Sequence, residues 1–251
     1  MKRLLKQIII AAVFFTVIGS IVYFSFIKDT ATGPTPTPSV FIQPLEIISQ
    51  NILKVADLDY DFLVKIKNPN TDFGASNASY EANIFDQAGS LITSIQGSIS
   101  LLPGQTRYEI ISPIETNQEI GDVIFKITNV DWQKLKEYIP QLLFLVKNQE
   151  YFKSGQGFPR LRATLFNDSN FDFDRVDVHI VLFGESDKIL AVNKTDIRTF
   201  LSRTDRFFEV RWLKPFEDEV QRIEVDAYTD VFKNENFIKQ HGTQENFQKF
   251  Y

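Results

Sequence analysis

An internal repeat with a period near 99 residues constrains this chain more than any other feature. Four blocks recur in the same order. Phe62-Leu-Val-Lys-Ile-Lys-Asn68-Pro69-Asn70-Thr-Asp-Phe73 returns as Leu161-Arg-Ala-Thr-Leu-Phe-Asn167-Asp168-Ser-Asn170-Phe-Asp172-Phe173. Tyr80 to Ile92 returns as Val178 to Leu190, Leu102 to Ile110 as Leu201 to Val210, and Val123 to Ile127 as Val220 to Val225. Within the blocks, apolar and polar residues alternate with a period of two, the signature of half-buried strands, and turns recur about every 8 to 12 residues. In the first strand Leu58, Tyr60, Phe62, Val64 and Ile66 share one face, and Asp57, Asp59, Asp61, Lys65 and Lys67 the other, which reads as solvated. About 100 residues per copy is the size of a seven-stranded immunoglobulin-like sandwich. The expected fold is all-β, two tandem immunoglobulin or fibronectin-III-like sandwiches over residues 45–131 and 132–232, the second opening with a short helical connector ended by Pro140.

Residues 1–28 obey a different rule. Gln7 to Ile27 carries no charge and is mostly Ile, Val, Phe and Ala. A helix of about 20 residues spans the roughly 30 Å of a bilayer core. Tyr23, Phe24 and Phe26 stand where a signal peptidase needs small residues, so the expectation is an uncleaved transmembrane helix over 7–28. Lys2, Arg3 and Lys6 precede it and Lys28 follows, which places residues 1–6 in the cytoplasm and the rest outside, in a single-pass protein of the cell membrane. Residues 29–44, with Thr-Gly-Pro-Thr-Pro-Thr-Pro-Ser, read as an extended stalk. Residues 233–251 read as a polar tail, a terminus that frays in preference to a short segment that docks on a partner.

Composition narrows the chemistry. There is no Cys, so thiol nucleophiles, thiolate metal sites and disulfides are excluded, and these sandwiches must hold together by packing alone. That suits a bacterial envelope better than a eukaryotic cell surface. Four basic and no acidic residues among 1–28, in a chain of net charge −5, leave a strongly acidic remainder, a poor match for nucleic acid. The two histidines, His179 and His241, form no cluster, and His179 reads as a half-exposed strand residue rather than a base. Asp57-x-Asp59-x-Asp61 lacks the Gly and the terminal Glu of a calcium loop. Asp168, Asn170, Asp172 and Asp174 are weak candidates for an oxygen-rich cation site, and a plain polar turn explains them better. Asn68, Pro69, Asn70 and Asn167 read as structural turn residues, because Asn bonds nearby backbone and tolerates left-handed conformations. No catalytic residues and no cofactor are expected.

The Asn68-Pro69-Asn70 turn after an alternating strand resembles the late-embryogenesis-abundant, water-stress/hypersensitive-response type of β-sandwich. Ile84-Phe85-Asp86-Gln-Ala-Gly89, followed by Leu102-Pro103-Gly104-Gln105, is similar to the FxLYD domain, a bacterial and archaeal module of similar shape. The second copy departs from these patterns at Phe183-Gly184 and Asn167-Asp168. The resemblance implies an immunoglobulin-like topology and a non-catalytic, envelope-associated role. The leading expectation is therefore a membrane-anchored structural or interaction module for an envelope protein or polymer. An envelope hydrolase using an acidic pair, or a lipid or polymer carrier, are the alternatives.

Overall fold

The computed structural model describes residues 3, 6, 12–23, 41–135, 144–153 and 158–241. The chain divides into two compact units, Met1–Phe41 and Ile42–Tyr251. In the first, residues 12–23 are helical. No helix among the described residues is long and apolar enough to cross a membrane. Residues 7–11 and 24–28 of the expected span, and most of the expected stalk, lie outside the described residues.

The second unit is built almost entirely of strands. β1 (Glu46–Lys54), β2 (Asp59–Lys67) and β5 (Thr106–Glu115) form one sheet, in the order β1-β2-β5, and β3 (Phe73–Asp86), β4 (Leu91–Leu101) and β6 (Ile120–Lys134) form another, in the order β4-β3-β6. The repeat then rebuilds the same topology. β7 (Phe144–Phe152), β8 (Arg160–Asn167) and β11 (Asp205–Arg211) pair as β7-β8-β11; β9 (Phe173–Phe183), β10 (Ile189–Phe200) and β12 (Arg222–Tyr228) pair as β10-β9-β12. Each copy thus has six strands in two antiparallel three-stranded sheets. β6 runs on to Lys134, so residues 132–134, where the helical connector through Trp132, Leu135 and Tyr138 is expected to begin, are strand and extend the first copy; the rest of that connector, residues 136–140, lies outside the described residues.

Period-two alternation sends one face of each sheet inward. Tyr60, Phe62, Val64 and Ile66 of β2 meet Tyr80, Ala82 and Ile84 of β3 in the first core, whereas Leu58 lies outside the strand and is exposed. Leu161, Ala163 and Leu165 of β8 meet Val176, Val178, Ile180 and Leu182 of β9 in the second. The opposite face of β2 is not solvated. Leu63, with Tyr108 and Ile110 of β5, packs against Val181 and Phe183 of β9 and Val192 of β10, and all six are at most 5% exposed. The two sandwiches are therefore joined through the β1-β2-β5 sheet of the first copy and the β10-β9-β12 sheet of the second. Asp61 is carried into this contact and buried, which raises its carboxyl pKa against the opposing pull of a Ser112 hydrogen bond and the Lys194 charge.

The expected polar tail begins as ordered structure, and its residues 242–251 lie outside the described residues. Glu235–His241 is a helix whose Phe237 is fully buried in the second core. Asn234 starts it, its side-chain oxygen accepting from the Phe237 N–H at 2.9 Å.

Candidate functional site

The β4–β5 hairpin crosses from one sheet of the first sandwich to the other and leaves an open seam between them. While Tyr108 and Ile110 point at the second sandwich, Arg107 and Glu109 turn into this seam. Arg107 donates to the Ser100 carbonyl at 3.1 Å and to Glu109 at 3.3 Å, and Glu109 also accepts from the Tyr80 hydroxyl at 3.2 Å. The Arg107 guanidinium lies 4.4 Å above the ring of Tyr228, at the end of β12, so a cation–π contact ties the seam to the second copy. The Tyr228 hydroxyl in turn accepts from the Tyr108 N–H at 3.1 Å.

His179 of β9 sits beside this pair, 5% exposed, with its ring edge-on to Tyr228 at 5.2 Å. Its Nδ1 is 2.9 Å from the Tyr108 carbonyl oxygen. A carbonyl only accepts, so this partner assigns the proton to Nδ1 and leaves the lone pair on Nε2. Lys194, its cross-strand neighbour on β10, donates to the Ile110 carbonyl at 2.9 Å. Together these groups floor a half-open polar cleft of about 810 Å³ between the sandwiches, rimmed by Asn77 and Ser98 on one side and Asp172, Asp174 and Asp177 on the other.

Burial governs the electrostatics. It pushes the His179 pKa down to about 3, with help from the Arg107 and Lys194 charges and against the Tyr108 carbonyl, which favours the cation. Burial raises Glu109 despite the attraction of Arg107 and Lys194, raises Asp226 despite its hydrogen bond with Tyr228, and raises Tyr228, aided by Asp226. His179 is therefore neutral at physiological pH and too weak a base to take a proton from a hydroxyl or water. Two of the charged groups around it are neutralised within the chain, Arg107 by Glu109 and Arg175 by Asp177 at 2.7 Å, and Lys194 is held by the Ile110 carbonyl. In this state His179 offers a fixed acceptor rather than a base poised for proton transfer.

The residues singled out from sequence fall into three places. Asn68 and Asn167 are both fully buried and occupy equivalent turns. Asn68 donates to the Phe73 and Leu102 carbonyls at 2.8 and 3.0 Å and accepts from Asn70, whose own amide bonds both polar groups of the Gln43 backbone; Pro69 sits between them, half-buried. Asn167 donates to the Phe171 and Leu201 carbonyls at 2.8 and 3.2 Å. Each Asn staples its β2–β3-type turn to its β4–β5-type hairpin. Asp168 and Asn170 instead turn to Arg203, whose guanidinium binds both side chains. Arg203 adopts a left-handed φ of 56° where the first copy has Gly104 at 68°, so a cation from the chain itself occupies the oxygen cluster. Asp172 accepts from the Ser202 N–H at 2.7 Å and reaches the cleft rim with Asp174. Among the described residues, no group of three or more His, Cys, Asp or Glu side chains is arranged to hold a metal ion.

Arg107, Glu109, Lys194 and Tyr228 did not stand out in the sequence, and His179, read there as a half-exposed strand residue, is buried because the second sandwich's sheet is covered by the first. The available signal was a difference between copies: the position of His179 on β9 is Glu81 on β3, polar in a solvated strand, buried in a covered one.

No family model matches the chain, and no curated protein matches it. Among solved structures it is similar to a red sea bream transglutaminase, at 10% identity and a TM-score of 0.25, over 74% of this chain and 29% of that one. The chain thus spans less than a third of that enzyme's length, and at that TM-score the likeness carries no argument about fold or activity.

Proposed function

We propose that the protein is a single-pass, membrane-anchored binding module of the cell envelope, with both sandwiches on the extracytoplasmic side and no catalytic activity of its own. The observation that carries the reading is the cleft: on its floor Arg107 is paired with Glu109, at its rim Arg175 with Asp177, and its histidine is held neutral, which suits recognition of a partner protein or polymer. The hydrolase alternative asks for two carboxyls facing one bond, one as proton donor and one as base or nucleophile, whereas Glu109 is tied to Arg107 and Asp177 to Arg175.

Anchoring is supported by the helical residues 12–23. Val13, Phe14, Phe15, Val17, Ile18, Ile21, Val22 and Tyr23 are all exposed, so the helix is apolar around its circumference. Thr16 donates to the Ala12 and Val13 carbonyls and Ser20 to that of Thr16, which satisfies these hydroxyls inside the helix, as lipid requires. Lys2, Arg3 and Lys6 on the N-terminal flank support a cytoplasmic N-terminus.

The test is fractionation. The full chain is expected to stay with membranes through an alkaline wash, and externally added protease is expected to digest the body in intact spheroplasts. Release by the wash, or protection of the body until the cells are lysed, would overturn the reading.

A further inference from the structure

The floor of the cleft holds one polar group that the chain itself does not use. His179 Nδ1 is committed to the Tyr108 carbonyl, and Nε2, the acceptor, has no hydrogen-bond partner among the described residues. Nor is Nε2 sealed away. Among the described residues the one buried side-chain nitrogen or oxygen that is both sealed and unpaired is Arg160 Nε, on the far side of the second sandwich. Nε2 therefore opens into the cleft from a side chain that is 95% buried and fixed by Tyr108 and Tyr228.

A neutral acceptor asks for a neutral donor. The charges nearest Nε2 are already engaged, Arg107 with Glu109, Lys194 with the Ile110 carbonyl and Asp177 with Arg175, while Asp172 and Asp174 on the rim add carboxylate acceptors. What these groups retain are spare N–H donors and carboxylate lone pairs side by side, and Ser98 on the rim adds a hydroxyl that both donates and accepts. A hydroxyl-rich ligand matches this alternation, because each of its hydroxyls donates to one neighbour while accepting from the next. The cleft's size is within the roughly 300–1,000 Å³ of small-ligand sites.

We propose that the cleft binds a neutral oligosaccharide segment of a glycan polymer, with one sugar hydroxyl donating to Nε2 of His179. This deepens the binding-module reading and rests on it. The chain has only two histidines, so ¹⁵N-histidine labelling of the full chain in phosphatidylcholine nanodiscs, free of sugar-based detergents, isolates the group, with His241→Gln assigning the signals. Chitotetraose and cellotetraose are titrated alongside an uncharged tetrapeptide. At least one sugar is expected to move the His179 Nε2 resonance saturably toward a hydrogen-bonded value, while His241 stays put and the peptide has no effect. The rim double variant Asn77→Ala/Ser98→Ala, which leaves the buried network intact, is expected to weaken that sugar's binding about tenfold. A shift by the peptide alone, or none by any probe at millimolar concentration, overturns the proposal, as does a rim variant that binds like wild type. These outcomes are separable from failure of the module reading, which fractionation tests without reference to Nε2.

Discussion

The two sandwiches share strand order, sheet pairing and turn staples, yet their outer faces are opposites. In the first copy Leu63 pairs with Ile110 on the outer face of the β1-β2-β5 sheet, and the equivalent pair on the β7-β8-β11 sheet is Arg162 with Glu209. In the second copy Val181 pairs with Val192 on the β10-β9-β12 sheet, and the equivalent pair on β4-β3-β6 is Asn83 with Ser94. Each copy is apolar on one outer face, and it is a different face in each. The contact is therefore heterologous, joining unlike surfaces, an arrangement that could propagate indefinitely if the ends matched. Here the ends do not match. The free face of the second copy carries Arg162 paired with Glu209, and Lys147 lying 3.6 Å over Phe166. Within residues 42–251 the two copies meet through their apolar outer faces, and the outer faces left over are charged or polar, as on the terminal repeats of a solenoid.

The largest expected effect comes from making the first copy look like the second at its covered face. Leu63→Arg places an unpaired charge in a contact where Leu63 is 1% exposed, and should cost about 3–5 kcal/mol in urea unfolding. Next come the features the copies share. Asn68→Ala and Asn167→Ala each strand carbonyls in a buried turn and should each cost about 2–4 kcal/mol; a large effect in only one copy would break the equivalence of the two staples.

A smaller effect follows from pH. His179 is neutral in the folded chain down to about pH 3 but takes a proton near its ordinary value when unfolded, so its share of stability is intact above about pH 6.5 and is lost as pH falls. The loss should be about 2 kcal/mol by about pH 5. Asp61, Asp226 and Glu109, with raised pKa values, work in the opposite direction, losing stability as pH rises through those values. Arg107 and Lys194 also face the imidazole, and their charges lower its pKa further. His179→Phe removes the histidine's share, so stability measured against pH should lose its decline on acidification between about pH 6.5 and 5. The smallest effect belongs to Phe207→Ser, at the position equivalent to Tyr108. Phe207 is 63% exposed, and the change should stay within about 0.5 kcal/mol.

Much of this architecture was legible from residues. The spacing of Asn68 and Asn167, and the alternation through Phe62–Ile66 and Leu161–Leu165, set the repeat, the strands and their inward faces. The covered outer face was not, because Asp61 and Lys65 flank Leu63 and give the strand a solvated look. Only a comparison of Leu63 with Arg162, or of Glu81 with His179, carries the information that one face is buried in one copy. The cleft was illegible for the same reason: it belongs to a contact between non-equivalent sheets, which no pattern within one copy encodes. The terminal helix had a local signal in Asn234, three residues before Phe237, masked by the polar residues around it.

The chain's two tryptophans allow the most direct test, since Trp132 packs in the first sandwich and Trp212 in the second. In single-tryptophan chains made by Trp132→Phe and Trp212→Phe, fluorescence during urea unfolding reports each sandwich separately. If the contact of unlike faces welds the copies, both probes share one midpoint in the otherwise native chain, and Leu63→Arg separates them into two. Midpoints already separate before that change, or still coincident and unmoved after it, would contradict the account.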